Sequence, residues 1–146
     1  MENKRALTQQ LIGMIDFMEQ QGLMDHRFRF AYSLKEGNGV SFFADLVYNF
    51  GTESQDTLRD LSSLLSQVVV NYEDIKVLCM KIKGASAGIG AHRMADACGQ
   101  LRLAIDSQSR EQCKSSVAEI MTEYLNLHPK LETILQLERR IISSRP

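Results

Sequence analysis

The sequence predicts an all-α protein of six helices with an antiparallel four-helix bundle as its core. Three observations carry this. Apolar residues recur at three- and four-residue spacing almost throughout. The one β-branched run, Val68-Val69-Val70, has no second run of similar character to pair with. Only two prolines occur, at 129 and 146, so long stretches are free of helix breakers.

The first helix is expected over about 4–21, with Leu7, Leu11, Met14 and Met18 on one face and Gly22 as its stop. Asp25 caps a second helix of about 26–36, which carries Phe28 and Tyr32 and ends at Gly37-Asn38-Gly39. A long third helix, about 40–67, aligns Val40, Phe43, Val47, Phe50, Leu58, Leu61 and Leu65. Asn71 caps the fourth, which runs to about Ile89 with Ile75, Leu78, Ile82 and Ala85 as its inward stripe, closed by Gly88 and Gly90. The fifth, about 92–106, buries Met94, Ala97, Leu101 and Ala104. After Ser107-Gln108-Ser109 a sixth begins near 110, its face marked by Val117, Ile120, Tyr124, Leu127, Leu131, Ile134 and Ile141. Pro129 is expected to kink or split it. Four long amphipathic helices with short connections pack most simply as an antiparallel bundle, with the first two helices capping an end or a side.

At 146 residues the chain suits one domain, 1–146, with a real core. Hydrophobic residues at 44% and charged residues at 24% are ordinary for a globular protein. A net charge of -1 gives no electrostatic reason to expect nucleic acid or an anionic membrane as partner. Cys79, Cys98 and Cys113 form no close CxxC pair, so neither a disulfide framework nor a zinc site is expected, and the thiols read as packing residues. No segment has the apolar run of a signal peptide or the length of a membrane span. The expectation is a cytoplasmic protein with access to the nucleus, monomeric by default, needing no cofactor or metal.

On the fourth helix Met80 lies roughly 140–160° from Leu78, Ile82 and Ala85, and therefore points away from the core. Its own face carries Lys76, Lys83, Gly84, Ala87 and Ala91. Glycine inside a helix costs about 1 kcal/mol against alanine, so Gly84 needs a reason. Close approach of another protein beside residue 80 supplies one. Phe42 and Leu46 on the third helix, and Phe30 and Ala31 on the second, lie off the main stripes and could extend such a surface.

The segment Cys79-Met80-Lys81-Ile82-Lys83-Gly84-Ala85-Ser86-Ala87-Gly88-Ile89-Gly90-Ala91 resembles the phosphorylation-site segment of plant-type histidine-containing phosphotransfer proteins, roughly His-Gln-Leu-Lys-Gly-Ser-Ser-Ser-Ser-Ile-Gly-Ala. The resemblance extends to Gln21-Gly22-Leu23-Met24-Asp25, to Cys98, and to Leu131-Glu132-Thr133 with Leu137-Glu138. It implies a six-helix fold and a place in the phosphorelay of cytokinin-type signalling. There such proteins shuttle phosphate from the receiver domain of a hybrid histidine kinase to response regulators. It also places the phospho-accepting histidine at Met80, whose thioether has no basic nitrogen with which to form a phosphoramidate.

Lys83 and Gly84 match the family's charge-neutralising lysine and its close-approach glycine, whereas Ala85 and Ala87 replace common serines. The implied protein is a pseudo-phosphotransfer member, not an enzyme. It would dock on receiver domains through Met80, Lys83, Gly84, Ala87, Lys76, Phe42 and Leu46, and inhibit the relay by competition. Two alternatives stay open: an active carrier using another acceptor, and a helical adaptor outside phosphorelay. Among possible acceptors, His92 lies beyond the end of the Met80 helix, and His26 and His128 read as surface or helix-end residues.

Overall fold

The computed structural model describes residues 3–144. Its helices are α1 (Lys4–Gln20), α2 (His26–Ser33), a single turn α3 (Lys35–Asn38), α4 (Phe42–Leu65), α5 (Tyr72–Ile89), α6 (His92–Asp106) and α7 (Arg110–Ser143), with no strand among the described residues. The six long helices are those the periodicity predicts. The predicted fourth helix, which carries Met80, is α5.

Side-chain caps set the starts. Asn3 accepts from the Arg5 N–H, Asp25 from Arg27, Asn71 from Glu73 and Asp74, and Ser109 from Gln112, each answering a donor that the first turn leaves free. Gly90 ends α5 in the left-handed region at φ 93, and the Ala91 N–H turns back to the Ser86 carbonyl at 2.8 Å.

The core bundle is a closed ring in which α4 packs on α5, α5 on α6, α6 on α7 and α7 on α4. Three short connections, 66–71, 90–91 and 107–109, force an antiparallel course. At 34 residues α7 is about 51 Å long. It outreaches its neighbours and packs α1 as well as α4 and α6. Leu58, Leu61, Ile75, Ile82, Leu101 and Ile134 close the bundle interior. Phe28, Phe43 and Tyr32 form an aromatic wedge that seats α2 beside α4, with ring centroids 5.6 and 5.0 Å apart.

Two polar ties fix the periphery. The Arg110 guanidinium donates to the carbonyls of Leu65, Gln67 and Val68 and so holds the α4–α5 loop. Lys35 Nζ reaches both carboxylate oxygens of the fully buried Glu138 at 3.0 Å, pinning α3 to α7.

Four sequence expectations are corrected. The second helix stops at Ser33, with α3 as a separate turn after Leu34. Val40 is exposed and lies outside the third helix, because Gly39 at φ 99 breaks the backbone and α4 begins only at Phe42. Gly88 lies inside α5, and Gly90 alone ends it. Of the kink or split expected at Pro129, the split does not occur: α7 runs through it unbroken. Both Pro129 and Leu125, whose carbonyl loses its helical donor, face solvent, so water can satisfy that acceptor.

Candidate functional site

The α5 helix is amphipathic in the strict sense: Ile75, Cys79, Ile82, Ser86 and Ile89 are buried, and Met80 is 57% exposed on the far side. Within one turn of Met80 stand Lys76 and Lys83 toward α6 and Gly84 toward α4, with Ala87 one further turn along. Lys83 and Gly84 are exposed, while Lys76 and Ala87 are half-buried. A Cβ added to Gly84 would meet nothing within 4 Å. The glycine thus leaves open backbone beside the methionine. Ala91 does not share this face. It is buried, because the left-handed Gly90 turns the chain before residue 91 is reached.

Val77 was not singled out from the sequence, although it is 65% exposed and one turn from Met80. The i, i+3 spacing from Met80 was the signal available. Val77 also borders a groove of about 410 Å³ between α4 and α5, lined by Asp60, Ser63, Leu64, Asp74 and Leu78. Met80 and Val77 together make an apolar spot with lysines on its α6 side.

Phe42 and Leu46 are half-buried and Phe30 is exposed, but Ala31 is buried under α2, which corrects its candidacy. None of the three remaining residues stands beside Met80. Ser54 and Thr57 of α4 line one void with Lys81 and Ala85 of α5, and Asp60 and Leu64 share the groove with Asp74 and Leu78. This antiparallel register puts Met80 level with about Leu58, so Leu46 lies roughly 18 Å further along the bundle axis. The structure therefore divides the predicted surface in two. One part is the α5 patch of Lys76, Val77, Met80, Lys83, Gly84 and Ala87. The other is an apolar rim of Phe30, Phe42 and Leu46 beyond the C-terminal end of α5. A typical interface contributes about 800 Å² per partner, a patch about 30 Å across, so one partner can span both.

The two parts are tied through the backbone. The Asp25 N–H donates to the Gly90 carbonyl at 2.8 Å, so the start of α2 is fastened to the end of α5. A Cβ on Gly90 would come within 2.8 Å of both Asp25 Oδ1 and the Phe28 nitrogen. On the other flank Arg29 pairs with Asp16 and Glu19 of α1. The hydrogen bonds to Glu19 and then Asp16 raise the Arg29 pKa above its ordinary value.

Among the described residues, the thiols and the hydroxyl nearest Met80 in the fold and sequence are not presented on its face. Cys79 is buried, and its thiol lies 3.4 Å from the Cys98 carbonyl. Burial pushes its pKa up against the opposing pull of Lys83 and Arg102. The Cys98 thiol is pushed up to about 12, again by burial first. Both are protonated and inert at neutral pH. Ser86 is buried and donates to the Ile82 carbonyl.

His26 opens α2 and His92 opens α6, both near the C-terminal end of α5 and at least about 15 Å along its axis from Met80. Of the surface or helix-end position expected for His128, the helix end is excluded: it lies in the middle of α7 with its side chain partly exposed. There its ring stacks on Tyr124 at 5.3 Å, with Nδ1 3.3 Å from the phenol oxygen. Among the described residues no three His, Cys, Asp or Glu side chains converge to hold a metal ion, and no helix is long and apolar enough to cross a membrane.

Fold and site together define an all-α bundle whose candidate site is an open helix face and not a cleft. The Hpt domain family model matches residues 45–139. The chain is 31% identical to histidine-containing phosphotransfer protein 2 of Oryza sativa subsp. japonica, over 97% of this chain and 95% of that protein. It is 28% identical to pseudo histidine-containing phosphotransfer protein 6 of Arabidopsis thaliana, over 84% of this chain and 80% of the relative. A solved histidine-containing phosphotransfer protein from rice superposes with a TM-score of 0.88 at 30% identity, covering 94% of this chain and 97% of that one. The chain belongs to the histidine-containing phosphotransfer (Hpt) family of plant two-component phosphorelays.

Proposed function

We propose that this protein is a pseudo-phosphotransfer protein. It docks on the receiver domains of hybrid histidine kinases and of response regulators, accepts no phosphate, and lowers relay flux by occupying them. The observation that carries this reading is the exposed thioether of Met80. Its sulfur is neither basic nor able to hold a phosphoryl group through nitrogen. The surrounding face supports docking. Lys76 and Lys83 suit the acidic pocket of a receiver, Gly84 allows close approach, and Val77 and Met80 supply desolvated contact.

Inhibition here is occupancy without turnover. Interface energy is concentrated in a few buried contacts, so replacing one imidazole leaves the rest of the footprint available. The competitor then needs only affinity and abundance comparable to those of a true carrier. The protein acts as a monomer in cytoplasm and nucleus, where such carriers move.

The test is incubation with a receiver domain phosphorylated on its aspartate. We expect binding without transfer of label, and slower transfer to an active carrier. The Met80→His variant is expected to accept label at least in part, since Lys83 and Gly84 already stand where the reaction needs them. Label on the unaltered chain would overturn the reading, as would failure to bind any receiver. A folded Met80→His protein that docks and stays unlabelled would show that more than the acceptor atom has been lost.

A further inference from the structure

We propose that Met80 is an oxidation site through which peroxides release this protein from its receiver partners. The regulatory half of this inference rests on the docking reading above. The modification itself rests on burial alone. Among the described methionines, Met18, Met24 and Met94 are buried and Met14 and Met121 are half-buried against the core, whereas Met80 is 57% exposed. Gly84 and Ala87, on the same face, are too small to shield its sulfur. The thiols that would otherwise consume an oxidant are buried and protonated, so they do not compete.

In the reaction the sulfur lone pair attacks one oxygen of a hydroperoxide. The S–O bond forms as the O–O bond breaks, and the departing oxygen takes up a proton to leave as water or an alcohol. Sulfur loses two electrons and the peroxide gains them. A methionine sulfoxide reductase, drawing on a thiol, reverses the change. The product differs from the thioether in the property that matters for docking. A flexible apolar side chain becomes a dipole with a strong acceptor oxygen, and burying it without a donor is costly. Its oxygen also sits one turn from Lys76 and Lys83 and competes for the ammonium groups that would face the partner's acids.

The experiment exposes the full chain to graded hydrogen peroxide, maps the gain of one oxygen by peptide mass spectrometry, and titrates a receiver domain before and after. Met80 is expected to oxidise at least about fivefold faster than Met14 or Met121. Receiver affinity is expected to fall about tenfold, with helix content unchanged, and to return on treatment with the reductase. For Met80→Leu, affinity is expected to be the same before and after peroxide, whatever its starting value. Met14→Leu and Met121→Leu should keep the full response.

Equal oxidation of Met14, Met80 and Met121 would overturn the site assignment. Selective oxidation with unchanged receiver affinity would overturn the regulatory role and leave the docking reading intact. If the unoxidised chain binds no receiver, the docking reading fails and the regulatory half falls with it, while the selective mass gain still decides the site.

Discussion

Gly84→Ala separates what the fold needs from what the surface needs. Residue 84 lies inside α5 and is exposed, and a methyl group there meets nothing within 4 Å. Alanine should therefore stabilise the folded protein by about 1 kcal/mol, the difference in helix propensity, because no contact opposes it. For a chain of this size that is a rise in melting temperature of about 3 °C. The same methyl stands beside Met80, where the proposed partner must come closest. Overpacking a close contact typically costs about 1–3 kcal/mol, so receiver affinity should fall about tenfold. Gly13→Ala is the matched control. Gly13 is an exposed glycine within α1, also with nothing within 4 Å of an added Cβ, and it lies outside the proposed surface. It should gain similar stability and leave docking alone. Thermal unfolding followed by circular dichroism and calorimetric titration with a receiver domain give both numbers. If Gly84→Ala is more stable and binds as tightly as the unaltered chain, close approach at residue 84 is refuted. If it is less stable, the open space beside α5 is wrong.

Three further outcomes follow from the packing. Gly90→Ala forces a side chain into the left-handed region, at about 1–2 kcal/mol, and drives its Cβ against Asp25 and the Phe28 backbone. A total loss of roughly 3 kcal/mol is expected, read as a melting point lowered by roughly 6–12 °C. Lys35→Met leaves the fully buried Glu138 carboxylate without its partner, which should cost about 3–5 kcal/mol in urea unfolding. Adding Glu138→Leu should recover most of that loss. Alkaline stability should fall with a thiol signature. The Cys98 thiol titrates near 9.0 in the unfolded chain but is pushed up to about 12 by burial in the folded one. Its contribution is therefore fully present below pH 9 and is lost as pH rises from 9 toward about 12, at about 1.4 kcal/mol per pH unit. Burial raises Cys79 and Cys113 as well, so they add in the same direction. Removing Cys98 should flatten the slope of stability against pH over that window, and an unchanged slope would count against its burial.

Most of this fold was legible because each of the six main helices has an apolar stripe, and α1, α2, α5 and α7 also have a side-chain cap that answers their first donors. Leu7, Leu11 and Met18, or Val117, Ile120 and Tyr124, repeat at the helical period and are all buried. Errors fell where a stripe was extended through a backbone reversal. Val40 stands three residues before Phe43 and Ala91 seven after Gly84, so both fit a helical wheel. Gly39 and Gly90 at positive φ put neither on the helix concerned. The split expected at Pro129 failed for another reason. The sequence states that a donor is missing but not that the orphaned carbonyl faces water. The outward direction of Met80 followed from angles alone. The split of the surface into an α5 patch and an α2–α4 rim did not, because it depends on the register between α4 and α5, which no single helix encodes.

That separation bears on how a bundle of this family can gain or lose the carrier chemistry. Residue 80 touches solvent and not the core, so the fold sets no requirement there beyond a helix-compatible side chain. Methionine is the better helix former of the two residues at issue, by a few tenths of a kcal/mol, so exchanging imidazole for thioether carries no folding penalty. The reactive group of a relay protein on this scaffold is therefore replaceable in one step, with the bundle, the Asp25–Gly90 clasp and the lysine-flanked face all retained. A TM-score of 0.88 to a phosphotransfer protein is what such a replacement would leave behind. Overall fold similarity cannot separate carrier from competitor here. On the function proposed above the atom presented at residue 80 does, and restoring a ring nitrogen there is the change whose effect on phosphate acceptance tests that proposal.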